Sequence, residues 1–271
     1  MSPSRELRAL PIDGLPEFEE GMSVGAEVAA RAELRGGDVV VISQKIVSKA
    51  EGRIRRLSSA IPGAEARRLA AVLGKEPALV ELILEESSKV LRAEGGVLIV
   101  ETKHGFVCAN AGIDSSNLPE EGTVALLPED PDASARKLRA EITAAIAGEP
   151  GVGLDGHSPS GGPHPRLPTI AVVISDSFGR AWRLGQVEVA IGCAGLSPLD
   201  DWRGRADSAG RKLEGTLIAI ADQAAAAADL VRDKTSRVPA VIVRGLGRHV
   251  SDENGPGAAS LRRPRADDLF R

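Results

Sequence analysis

Short apolar runs, each closed by Gly, Pro or charge, commit this chain to a fold built around β-strands. The runs are Val39–Ile42, Val97–Val100, Phe106–Ala109, Val124–Leu127, Ile170–Ile174, Leu217–Ile220 and Ala240–Val243. Helical stretches lie between them. Glu65–Leu73 and Ala78–Ala93 set Leu79, Leu82, Ile83 and Val90 on one face, with Glu and Lys opposite. Ser134–Ile146 repeats the pattern with Leu138, Ile142 and Ile146, and Asp132 is its expected cap. Asp222–Arg232 is Ala-rich, hence a good helix former. The alternation is irregular, which predicts an α/β fold (mixed α+β) on a mixed sheet rather than a strict doubly wound one.

A length of 271 residues allows one or two domains, and 42% hydrophobic against 27% charged residues supports a sizeable core. With four Phe, two Trp and no Tyr, aliphatic and Ala side chains must fill that core. So few rings argue against single-stranded nucleic-acid binding, which uses aromatic stacking platforms. A net charge of −4 also lacks the basic footprint of a phosphate-backbone binder, although a local cationic cluster can still hold a small anion. Neither a signal-type leader nor a membrane-length apolar run is present, so a cytoplasmic location is expected, with no nucleic acid and no membrane as partner. Cys108 and Cys193 stand far apart in apolar surroundings and are expected to pack rather than react.

Gly148–Pro168 is dense in Gly and Pro and reads as a flexible insertion, residues 148–168, between ordered halves. Within it Gly151–Gly156 fits G-x-G-x-x-G, but the strand and helix that give this motif its phosphate-binding geometry are missing. His157 and His164 share the segment without a nearby cluster of metal ligands.

Three polar segments each follow a strand. Ser175–Gln186 opens with Asp176 and Ser177 at the expected carboxyl end of Ile170–Ile174, where open α/β sheets bind ligands. Its carboxylate, hydroxyl and arginines Arg180 and Arg183 suit a hard cation bridged to phosphate. Ala109–Asn117 contributes Asp114 and Asn117 among small neighbours, so Asp114 and Asp176 could share a magnesium or manganese ion. Ser43–Arg53 places Lys45, Lys49 and Arg53 at four-residue spacing, a cationic ridge if helical. P-loop, G-x-S-x-G and H-E-x-x-H motifs are all absent.

Taken in order, these segments resemble the coenzyme F420-0:L-glutamate ligase family. The match includes Gly14-Leu15-Pro16-Glu17-Phe18, Val47–Arg53, Ala111–Asn117, Ser175–Gln186 with Ala190-Ile191-Gly192, Ala225–Val231, Val243–Leu246 and Asp267–Arg271. The resemblance implies a GTP-dependent ligase that adds L-glutamate to coenzyme F420-0 and extends a γ-linked tail through an acyl phosphate. It also implies a single 1–271 unit of two intertwined lobes, a non-P-loop nucleotide site, a homodimer, and a docked tail over 251–271 with Phe270 as anchor. Carried over by residue, Asp114, Asp176 and Ser177 would hold divalent metal (Mg2+ or Mn2+, with K+ as a further ion), Ser177 standing where Thr is common. Leu15, Pro16, Glu17, Phe18, Gln44, Lys45, Lys49, Asn117 and Lys234 would line the GTP site, although Asp233 departs from the usual Gly-Lys stretch. Two alternatives stay open: an amide ligase acting on another carboxylate acceptor, and a non-catalytic nucleotide-binding subunit.

Overall fold

The computed structural model describes residues 6–148, 167–233 and 235–269. The chain begins with β1 (Arg8–Pro11), α1 (Val24–Ala29), β2 (Val39–Ser43), α2 (Gln44–Ala50) and β3 (Ile54–Arg56). It continues through α3 (Ala64–Leu73), α4 (Pro77–Glu85), β4 (Ser87–Glu94), β5 (Val97–Thr102), β6 (Val107–Ala109) and β7 (Thr123–Ala125). Next come α5 (Pro131–Ala147), β8 (Ala171–Arg180), β9 (Arg183–Ala194) and β10 (Leu199–Asp201). Last are β11 (Leu217–Ala219), α6 (Ile220–Asp229) and β12 (Ala240–Arg244).

A five-stranded sheet in the order β1-β12-β2-β8-β9 forms the centre, parallel between β2 and β8 and antiparallel elsewhere. Its inner strands β2 and β12 and the first half of β8 are apolar without alternation because both faces are covered. Val40, Ile42, Val172 and Ile174 face α1 and α5, where Val28, Leu138 and Ile142 are buried. Successive side chains point to opposite faces, so Val39, Val41, Val173, Val241 and Val243 meet α6 instead. Ala221, Ala224, Ala225 and Ala228 let that helix lie close on the sheet. Each buried Val or Ile contributes about 1.5–3 kcal/mol, and these replace the missing aromatic rings.

A separate core holds Leu69, Leu73, Val80, Leu82, Ile83, Leu98, Val100, Val124 and Leu126. It is built by α3, α4 and the small antiparallel sheets β4-β5-β6 and β3-β7. The fold is therefore mixed α/β with several sheets, as the strand pattern predicts.

Three local expectations need correction. The helix expected over Ala78–Ala93 stops at Glu85, and Val90 lies on β4. Gly95 and Gly96 both take positive φ, 60° and 77°, the geometry of a two-residue hairpin turn, so pairing with β5 overrides the helical periodicity. The cap of α5 is Asp130, whose side chain accepts from Ala133 N. Asp132 instead accepts from the amides of Cys193, Ala258 and Ala259, tying β9 and the chain after Gly257 to the start of α5. Finally, the strand expected to end at Ile174 runs on to Arg180, because pairing with β9 continues as far as Arg180 and Arg183.

Cys108 and Cys193 are buried free thiols whose pKa values burial pushes up to about 12. The Gly148–Pro168 insertion falls almost wholly outside the described residues, as do Phe270 and Arg271.

Helix α5 crosses β9 at Gly192, where an added Cβ would sit 2.2 Å from Pro131 O. Gly192→Ala should therefore destabilise the protein by about 1–3 kcal/mol, read as a lowered urea midpoint. An unchanged midpoint would contradict this packing.

Candidate active site

The site starts from a register. β2 and β8 run parallel with Ser43 opposite Ser175, so the residues after Ser43 and those after Ser175 leave the paired stretch side by side. On one side the chain turns directly into α2, and its first turn carries Lys45. On the other it continues in β8 to Asp176.

Lys45 Nζ donates to Asp114 Oδ2 at 2.7 Å and to Ser116 O at 2.7 Å. Asp114 is held from the far side by paired backbone bonds with Ala125 and by Ser116 N, which donates to Oδ1 at 2.8 Å. One turn along α2, the buried Lys49 donates to Glu17 Oε1, and to Asn117 O at 3.2 Å. The two lysines thus join Glu17–Phe18, α2 and Asp114–Asn117 into one constellation. The third member of the expected ridge does not join it. Helix α2 ends at Ala50 and Gly52 takes φ +67°, which turns Arg53 towards Glu86 and Leu127 O.

Beside Lys49 a cavity of about 260 Å3 is lined by Glu17, Phe18, Ile54, Leu118 and Pro119. Phe18 is buried in the main core, and Leu15 packs half-buried against the same cluster. Pro16 is half-buried. Gln44 is buried, and its Oε1 accepts from Ser48 Oγ at 2.8 Å, so that oxygen is committed to the helix. Lys234 lies outside the described residues.

Asp176 and Ser177 are neighbours in an extended strand and so point to opposite faces. Asp176 lies within electrostatic reach of Cys108, Asp114 and Lys45, each of which acts on its charge or is acted on by it. Burial, then the charge of Glu188, then that of Asp114, raise its pKa to about 7, against the opposing pull of Ser177 N and Lys45. At Asp114, burial pushes upward but is outweighed by hydrogen bonds from Lys45 and Ser116, which hold the carboxyl below its ordinary value. The two carboxylates therefore differ in readiness to ionise.

Ser177 Oγ donates to Glu188 Oε1 at 2.6 Å. Arg232 lies 3.8 Å from Glu188 Oε2 and donates to Ser175 Oγ at 3.3 Å. Both side chains are buried, so this forms a charged cluster on the far face of the strand from Asp176. Neither Glu188 nor Arg232 stands out in the sequence. Val187-Glu188-Val189 resembles an ordinary outward-facing strand charge, and only the pairing of Glu188 with Ser177 gives it a place. Arg180 donates to Leu184 O and Gly185 O and closes the β8–β9 hairpin, while Arg183 is exposed at the same turn.

Fold and site together define a mixed α/β protein that gathers lysines and carboxylates where its parallel strand pair ends. Comparison with known proteins makes the class specific. The model of the F420-0:gamma-glutamyl ligase family matches residues 14–155 and 167–245, and the chain belongs to that family of ligases. A Methanothermobacter thermautotrophicus protein named coenzyme F420:L-glutamate ligase is 41% identical over 98% of this chain and 97% of its own length. Proteins of the same name from Archaeoglobus fulgidus and Methanocaldococcus jannaschii are 40% and 37% identical, over 89% and 98% of this chain and 88% and 99% of their own lengths.

The raised pKa of Asp176 carries a sign. The folded state holds this proton up to about pH 7, whereas an ordinary carboxyl in the unfolded chain releases it near 3.8. Between those values the native state binds more protons, so this group makes metal-free protein less stable as pH rises. Urea unfolding in chelator should show this decline, and Asp176→Asn should flatten it. An equal slope in both proteins would contradict the assignment.

Proposed function

We propose that the protein is a GTP-dependent ligase that joins L-glutamate to coenzyme F420-0 and lengthens a γ-linked glutamate tail, acting as a cytoplasmic homodimer. The observation that carries the reading is the meeting of Lys45 with Asp114 beside Asp176, since these residues come from segments far apart in the chain. Full-length similarity to proteins named coenzyme F420:L-glutamate ligase supports the choice of substrates.

A carboxylate is a poor acyl donor. In this reading an acceptor carboxylate oxygen attacks the γ-phosphorus of GTP, the bond to the β-phosphate oxygen breaks, and GDP leaves. The glutamate amine then attacks the acyl carbon, inorganic phosphate departs, and the nitrogen loses its proton to solvent. Phosphoryl transfer depends mainly on positioning and charge neutralisation. Lys45 and Lys49 supply fixed positive charge, and the cavity walled by Phe18, Ile54, Leu118 and Pro119 accepts the nucleoside beside Lys49.

Divalent metal fits the donor set. Among the described residues no group of three or more His, Cys, Asp or Glu forms a metal cage. Magnesium and manganese need no such cage, because one or two carboxylates with phosphate and water oxygens suffice. Asp114 and Asp176 repel one another across one face of the site, and a cation between them would relieve that repulsion. Ser177, on the opposite face, would serve a second ion with Glu188. When bound, such ions would supply charge stabilisation at the transferring phosphoryl group.

The test incubates purified protein with F420-0, L-glutamate, manganese and either GTP or ATP. Product should gain mass in glutamyl increments with release of GDP, and Asp176→Asn should slow turnover by about 100-fold or more. Folded protein that forms no glutamyl product with GTP would overturn the proposal.

A further inference from the structure

A second cleft, of about 530 Å3, opens at the start of α5, between the β5–β6 turn and Arg262. This volume is in the range of small-molecule sites. Its charge is mixed, unlike a phosphate site, with lysine and arginine facing glutamate and aspartate.

Half of these charges are already committed. Arg53 is held by Glu86 at 2.8 Å, Asp130 caps α5, and Asp132 accepts three backbone amides. Lys103 and Glu129 are exposed at the cleft, opposite in sign, and neither has an ion-pair partner among the described residues. Arg136 approaches Asp130 only to 3.9 Å. Arg262 lies 5.6 Å over the Phe106 ring and donates to His104 O, which leaves further guanidinium N–H groups to give.

The cleft also borders the proposed reaction centre. Phe106, one of its walls, packs edge-on against Phe178 with ring centroids 6.0 Å apart. Phe178 lies two residues from Asp176 along β8, on the same face of the strand.

We propose that this cleft binds the amino-acid co-substrate, a zwitterion with a second carboxylate, namely L-glutamate. Lys103, Arg136 and Arg262 receive its carboxylates, and Glu129 receives its ammonium. The assignment rests on the ligase reading above. It explains a choice of glutamate over glutamine, because a neutral side-chain amide forfeits one charge-assisted contact.

The test uses the full chain and two surface variants, Lys103→Met and Glu129→Gln, whose exposed positions leave the core untouched. Each should raise KM for L-glutamate roughly 10- to 100-fold, the factor expected for one lost hydrogen bond to a charged group. KM for GTP should stay at the wild-type value, and Lys103→Arg should recover most of the loss. Calorimetric titration with L-glutamate should show the same weakening independently of turnover. Wild-type glutamate affinity in both variants, or an equal rise in KM for GTP, would overturn the assignment. A wild-type protein that binds glutamate in this cleft without ligating it would instead count against the ligase reading.

Discussion

The parallel pairing of β2 with β8 is the constraint on which the site depends. Val39–Ile42 lies against Ala171–Ile174 residue for residue, and Ser43 against Ser175 marks where the buried stretch ends. A shift by one residue would turn every side chain to the opposite face and exchange the core on α5 for the core on α6. Two aliphatic cores thus fix the register, and the register sets Lys45 near Asp176. The far end of β2 is fixed as firmly. Fully buried Asp38 receives both Nε and Nη2 of Arg244 at 2.8 Å, which binds β2 to β12.

The charges at the carboxyl end are held under tension. Asp176 lies near two other carboxylates, and Lys45 offsets only part of their repulsion because it is also bonded to Asp114 and Ser116. Such an arrangement costs stability as it stands, and the divalent cation proposed above would offset that cost. The Glu188–Arg232 pair on the opposite face is loose at 3.8 Å, and Glu188 Oε2 and Arg232 Nε have no hydrogen-bond partner among the described residues. One face of β8 therefore carries buried polar groups whose bonding is incomplete, at the strand where a phosphorylated ligand is proposed to sit.

Much of this was legible in the sequence. Apolar runs mark β2, β12 and the first half of β8 most clearly, because burial on two faces leaves no polar positions to blur them. Lys45, Lys49, Asp114 and Asp176 follow such runs, and that placement makes them candidates. Less legible was whatever depends on a partner distant in sequence. β8 continues past Ile174 because β9 pairs with it, so Asp176 and Ser177 lie within a strand and face apart. Val90 joins a strand because Gly95-Gly96 turns β4 onto β5. Glu188 and Arg232 carry no sequence signal, since their significance arises only from meeting Ser175 and Ser177 in space.

In the proposed reaction an acceptor carboxylate is activated by phosphoryl transfer at this centre. Isotopic labelling tests it most directly. F420-0 carrying heavy oxygen in its terminal carboxylate is ligated to L-glutamate with GTP, and the released inorganic phosphate is weighed by mass spectrometry. Each phosphate should carry one heavy oxygen, because the attacking carboxylate oxygen leaves with phosphorus when the amide forms. Phosphate free of the label, released alongside glutamylated product, would contradict it.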